Sequence, residues 1–268
     1  MIPEFTTVVG VDGSHLRQLA TVWPTWRKHK RSTIVANPML VFFDRTVVTA
    51  DRIRALIDHP NMKTCAWPPE GIQYKGDDSS KWDNLQRHKM LSGFVHVPAV
   101  FVQTPYWLKL DTDVIATGME DWIDPKWFDG DPAIISHPWC FTRPPDQMLK
   151  LDDWASNNMD ELHMLHDTEP LKLMPKPYSD RVFHKRIISW CAFFNSAFNR
   201  QCAEAAKTTI GRCQIPVPSQ DGFLFYCAKR MGLPIVRPRM KNCGWQVWAT
   251  ERNISRHVME IMSEERDA

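Results

Sequence analysis

The stretch Trp107-Leu108-Lys109-Leu110-Asp111-Thr112-Asp113-Val114 decides how this chain is read. A short, mostly apolar run of strand length ends abruptly in two aspartates separated by one threonine. If the backbone stays extended, Asp111 and Asp113 leave it on the same side. Paired carboxylate oxygens at a strand end suit a hard divalent cation, Mn²⁺ or Mg²⁺. Such an ion takes one or two carboxylates and fills its shell with water and phosphate oxygens. The same residues would equally make an Asp-Thr-Asp turn whose side chains cap backbone groups. The motif alone does not separate these readings.

Upstream of it, strand and helix signals alternate. Thr6–Val11 is β-branched and runs into Asp12-Gly13-Ser14, a turn and helix N-cap. Leu16, Leu19, Ala20, Trp23 and Trp26 then recur at helical spacing, with Pro24 expected to kink or restart the helix. The basic run Arg27–Arg31 reads as its solvated C-terminal end, favoured there by the helix dipole. Met39–Phe43 is a buried strand closed by Asp44, residues 46–58 form an amphipathic helix, and Met62–Ala66 is a third strand. A polar loop over Gly71–Ser80 and a helix over Lys81–Val95 lead to the Trp107–Leu110 strand. This alternation predicts an α/β fold with a mostly parallel central sheet and helices on both faces, its ligands bound beyond the carboxyl ends of the strands.

Downstream, residues 138–182 break the rhythm. They are rich in Pro, Asp, Met and Trp, with one helix expected over Gln147–Met164. Ile187–Asn195, a helix over Gly222–Met231 and Leu233–Val236 resume it. The expectation is one domain of 268 residues, with a nucleotide-binding half over 1–117 and a catalytic and acceptor half over 118–268 that contains the insertion.

Bulk composition excludes several classes. Thirty-three basic against 31 acidic residues give a net charge of +2, without the basic excess of a nucleic-acid-binding protein. The seven cysteines form no C-x-x-C pair, which argues against a zinc site and for free thiols in a reducing compartment. The opening MIPEFTTVVGVDG lacks the pattern of a signal peptide, and no stretch has the length of a membrane span. A cytoplasmic location is therefore expected.

Two segments then gain meaning together. The run QRHKMLSGFVHVPAVFVQTPYWLKLDTDVIAT (residues 86–117) resembles the stretch leading to the D-x-D motif of GT-A-fold, Rossmann-like glycosyltransferases. Pro218-Ser219-Gln220-Asp221-Gly222-Phe223-Leu224-Phe225, running on to Gly232-Leu233-Pro234, is similar to the late acidic helix of the same fold. The resemblance implies transfer of a sugar from a nucleotide-diphosphate donor, most simply a UDP- or GDP-sugar, to a glycan, lipid-linked sugar or protein acceptor. It implies Asp113 as direct metal ligand and Asp111 as a ligand through water or a contact to the ribose. Arg87 and Asn84 would face the nucleotide from the preceding helix. Asp221 would be the base that deprotonates the acceptor, or in a retaining enzyme would steady positive charge. Gln220 stands where many relatives carry a second acid. Trp190 and Asn195, within Ser189–Ser196, become candidates for the donor-sugar and acceptor lining. His257, the only histidine after Asp221, becomes a candidate third metal ligand. Val11, Asp12 and Asp44, at the first two strand ends, become candidates for cradling the base.

Plainer roles fit several of these residues. Arg87 would serve as a surface arginine, Asp221 or Ser219 as a helix cap, and Ile187–Asn195 as a core strand. Three other functions compete. A sugar nucleotidyltransferase would open with a Gly-rich phosphate loop, which Val8–Leu16 does not supply. A non-catalytic sugar-nucleotide- or carbohydrate-binding relative would not need Asp111, Asp113 and Asp221 together. A phosphohydrolase or nuclease would bring more clustered carboxylates or histidines.

Overall fold

A computed structural model describes residues 1–69, 85–139, 186–210, 220–238 and 243–247. The expected Gly71–Ser80 loop and Gln147–Met164 helix lie outside them, as do nearly all of the 138–182 insertion, Asn84 and His257.

Strands β1 (Phe5–Val11), β2 (Met39–Phe43), β3 (Met62–Ala66) and β4 (Tyr106–Leu110) are joined by helices α1 (Gly13–His29), α2 (Ala50–Leu56) and α3 (Leu85–Phe101). A short β5 (Val114–Ala116) follows the aspartate pair, then β6 (Ile134–Trp139) and β7 (Arg186–Asn195). Helices α4 (Ser196–Ile210) and α5 (Gln220–Arg230) precede β8 (Ile235–Val236) and β9 (Trp245–Val247). The seven-stranded sheet runs β3-β2-β1-β4-β7-β6-β8 and is mostly parallel. Strand β7 alone among its described strands lies antiparallel to its neighbours, β4 and β6. Strands β5 and β9 form a separate antiparallel ribbon.

Both faces of the sheet are covered, so the central strands are buried throughout and their side chains alternate between two cores. On one side Val8, Phe42, Trp107 and Phe194 pack with Phe94 of α3, Cys202 of α4 and Phe223 of α5. On the other, Val9, Val41, Leu108 and Phe193 pack with Trp23 and Trp26 of α1 and Trp122 and Trp245. Gly10 and Gly93 leave space for the Phe42 ring between them: a Cβ on either would lie 2.5 Å from it.

Several elements differ from the sequence reading. Helix α1 runs unbroken through Pro24 because Leu16, Leu19, Trp23 and Trp26 are all buried, and this packing outweighs one lost ladder bond. Helix α3 likewise continues past Val95 through Pro98, and Val102 N–H bonds to the Pro98 carbonyl at 3.0 Å. Helix α2 starts later than expected, at Ala50. The preceding residues form a turn on Asp44, and Thr49 then caps the helix by accepting from Arg52 N–H. Lys30, assigned by sequence to a solvated helix end, is fully buried.

Candidate functional site

The strand order places the site. From β1 the chain steps outward to β2 and β3, then returns to put β4 on the other side of β1. The carboxyl ends of β1 and β4 thus flank the crevice where the winding reverses, the position at which open α/β sheets bind ligands. Val11 ends β1 in the core, and Asp12 alone joins it to α1. Asp12 is the N-cap: its carboxylate accepts from His15 N–H at 3.0 Å, and His15 Nδ1 lies 2.9 Å from the same oxygen. Across the crevice Leu110 ends β4 and the aspartate pair begins.

Residues 111–113 are not extended. They form a turn in which Val114 N–H reaches the Asp111 carbonyl at 3.3 Å, and β5 starts directly afterwards. Each residue of the turn is held differently. Asp111 N–H donates to the Trp190 carbonyl at 2.9 Å, while its carboxylate pairs with Lys109 Nζ. Thr112 is buried and donates to Gln18 of α1 at 2.8 Å. Asp113 has its pKa raised, first by burial and then by the charge of Asp111; its own backbone amide, Lys109 and His15 oppose the shift. The capping role open to Asp111 from sequence alone is therefore not what its side chain does, since its partner is an ammonium.

A divalent ion fits this donor set. Two hard carboxylates lie close enough for one to hinder ionisation of the other, and a cation relieves that repulsion. Among the described residues no three His, Cys, Asp or Glu side chains form a ready cage. The ion would therefore take this pair and complete its shell with water and ligand oxygens.

The remaining candidates fall in different places. Trp190 is buried in the core, and its carbonyl anchors Asp111. Asp44 is buried, and its carboxylate accepts from Thr46 N–H at 2.9 Å and Thr46 Oγ1 at 2.8 Å, an Asx turn at the end of β2. Asn195 is not brought to the crevice. Its strand is antiparallel to β4, so it pairs with Tyr106 at the start of β4, the edge opposite Asp111. There its Oδ1 caps α4 by accepting from Ala197 N–H (2.9 Å) and Phe198 N–H (3.1 Å), and its Nδ2 donates to Asp131. Arg87 lies in the first turn of α3 and Asp221 in the first turn of α5. Both helices end where a parallel strand is about to begin, so their first turns point back toward the carboxyl edge.

Two residues at the site went unread in the sequence. Lys109 is one polar residue in an apolar strand, and its position two residues before Asp111 was the available signal. His15 lies three residues after Asp12, the spacing that brings its amide onto an N-cap carboxylate.

No protein-family model matches the chain, and no curated protein sequence does. Solved structures do. Core-mannan synthase A (CmsA/Ktr4) of Aspergillus fumigatus, in its Mn/GDP form, aligns over 87% of this chain and 70% of its own, with TM-score 0.55 and 15% identity. An active-site mutant of LgtC aligns over 97% of this chain and 96% of its own, with TM-score 0.51 and 10% identity. The 4-diphosphocytidyl-2C-methyl-D-erythritol synthase of Anaerococcus prevotii aligns over 97% of this chain and 99% of its own, with TM-score 0.52 and 11% identity. Likeness at such identities speaks for the backbone. The sheet order, the crevice at β1 and β4 and these alignments together establish that the chain has the GT-A fold.

Proposed function

We propose that the protein is a metal-dependent glycosyltransferase, transferring a sugar from a UDP- or GDP-sugar to an acceptor hydroxyl. The observation that carries this reading is the gathering of Asp12, His15, Asp111 and Asp113 around the β1–β4 crevice. The Mn/GDP form of core-mannan synthase A supports the same ligand class.

In this reading Asp113 holds the divalent ion directly and Asp111 does so through water. Bound there, Mn²⁺ or Mg²⁺ supplies charge neutralisation for the departing diphosphate. Strand β9 supports His257 as a further ligand. It pairs Trp245 with Ala116 and Val247 with Val114, so Val247 lies beside the residue that follows Asp113. Arg87, in the first turn of α3, binds the nucleotide. Asp221, in the first turn of α5, accepts the acceptor's proton. The 138–182 insertion is the acceptor-side surface; among the described residues no helix is long and apolar enough to cross a membrane.

Thermal shift with UDP-, GDP-, CMP- and dTDP-sugars, each with and without Mn²⁺, tests the proposal. At about 100 times Kd a donor adds about 2.7 kcal/mol, roughly 5–10 °C in a chain of this size. The expected result is a shift with a UDP- or GDP-sugar that needs Mn²⁺ and disappears in Asp113→Ala. A folded protein that responds to none of these donors would sink the reading.

A second reading, nucleotidyl transfer, takes support from the alignment with the diphosphocytidyl-methylerythritol synthase. The one-residue link between β1 and α1 weighs against it, because a Gly-rich triphosphate cradle has no room there. Pyrophosphate release from CTP, in place of nucleoside diphosphate release from a sugar donor, would decide for it.

A further inference from the structure

The two carboxylates of the turn are unequal, and the cause lies below them in the sheet. Lys109 is the last residue but one of β4, a strand paired with β1 and β7, and is only 2% exposed. A buried ammonium without compensation is costly, so such a residue persists where the surrounding charge requires it. Its Nζ lies 4.6 Å from the centre of the Phe94 ring, on the face covered by α3, and pairs with Asp111 Oδ1. The Asp111 side chain is 39% exposed, so it joins a buried cation to the open crevice. Its backbone is fixed as well, through the Trp190 carbonyl. Asp111 is thereby held at both ends. Among the described residues no cation forms an ion pair with Asp113, whereas Lys109 pairs with Asp111 and His15 with Asp12.

We infer that Lys109 is a positioning residue, a fixed monovalent cation that holds Asp111 in place and leaves Asp113 as the carboxylate that takes the divalent ion. This rests on the metal reading given above. An oxygen engaged in a charge-assisted bond to an ammonium is a poor ligand, and the ammonium repels a second cation from that side. The ion is steered to the far side of the turn. The turn is also assembled before any metal arrives, since Lys109 offsets half of its charge. Replacing Lys109 therefore does two opposite things: it loosens the metal-free protein and frees Asp111 to become a second direct ligand.

The test measures Mn²⁺ binding by electron paramagnetic resonance, with UDP or GDP as the only co-ligand, and Tm in the absence of metal. Asp113→Asn is expected to lose Mn²⁺ binding more than 30-fold and Asp111→Asn less than five-fold. Lys109→Met is expected to lower the metal-free Tm by roughly 5 °C and to bind Mn²⁺ more tightly than wild type. Adding Asp111→Asn to Lys109→Met should restore most of that Tm. Equal loss of Mn²⁺ in Asp111→Asn and Asp113→Asn would overturn the inference even if Lys109→Met fails to fold, and so would weaker Mn²⁺ binding by a folded Lys109→Met. A wild-type protein that binds no Mn²⁺ under these conditions would remove the metal reading itself, and this inference with it.

Discussion

Asp113 carries a stability cost that follows from its position. Burial and the neighbouring Asp111 raise its pKa, so the folded state binds a proton that the unfolded state has already released just above the ordinary carboxylate value. Where the folded state holds more protons, stability falls as pH rises. Above the raised pKa the metal-free protein therefore bears the cost of ionised Asp113. The cost is relieved as pH falls through the raised pKa. Asp113→Asn, which cannot ionise, should have a higher metal-free Tm than wild type at pH 7, a gap that closes as pH is lowered. With Mn²⁺ and donor present the order should reverse, because only wild type gains from the ion. A pH series of melting curves with and without Mn²⁺ checks both parts. A variant that melts below wild type at neutral pH without metal would show that the Asp113 carboxylate is satisfied by something other than a cation.

At the scale of elements, the β5–β9 ribbon brings Val247 beside Val114, next to Asp113, and it is held by a buried lysine. Lys30 Nζ donates to the carbonyls of Gly118, Met119 (2.6 Å) and Cys243 (2.9 Å) and lies 5.0 Å from the centre of the Trp245 ring. Burial brings its pKa down to about 8, opposed by Cys191, Cys243 and Glu120. Gly244 closes the same joint. It has φ +69°, its carbonyl accepts from Thr117 N–H at 2.8 Å, and a Cβ there would lie 2.2 Å from the Gly118 carbonyl oxygen. Gly244→Ala should thus cost at least about 2 kcal/mol, lowering Tm by roughly 4–8 °C. Gly130→Ala shares the positive φ (+77°) but meets no atom within 4 Å, so it should cost only about 1 kcal/mol. Equal melting temperatures for the two variants would mean that the ribbon does not depend on this contact. None of this joint was legible in the sequence, because its partners lie 88 to 213 residues apart and no local pattern announces a carbonyl cage. The first four strands and α1 were legible because each buries an apolar face with a clear period or run. The restart expected at Pro24 and the helix end expected at Val95 are not found, because local propensity yields to packing. The Asp-Thr-Asp turn was one of two readings that the motif left open, and Lys109 was passed over inside a strand otherwise apolar.

For the whole molecule, the sheet has two parts that differ in strand direction. The parallel strands β3, β2, β1 and β4 form the half that presents Asp12, Asp111 and Asp113. Beyond β4, the antiparallel β7 shifts the pattern, so that α5 crosses over to β8 at the far margin. Arg237, just after β8, lies 5.9 Å from the ring centre of Phe225, and its charge lowers the pKa of Lys229, although burial lowers it more. Helix α5 ends at Arg230 and β8 begins at Ile235, so the helix runs back against the strand's direction and its first turn is the end nearest the carboxyl edge. Asp221 belongs to that turn, one turn before Phe225. In the proposed reading donor and acceptor chemistry lie in different halves of the molecule, and a change in one should leave the other intact. In that reading Asp221→Asn removes the base and keeps the side chain's size, at the cost only of one charge in the first turn of α5. It should keep the Mn²⁺-dependent donor shift within about 2 °C of wild type and lower kcat for transfer by about 100-fold or more, the range of general-base catalysis. Wild-type kcat in Asp221→Asn would make Asp221 a helix cap and move the search for the base to the 138–182 insertion. Loss of the donor shift together with transfer would mean that the two halves are not independent and that α5 helps to bind the donor.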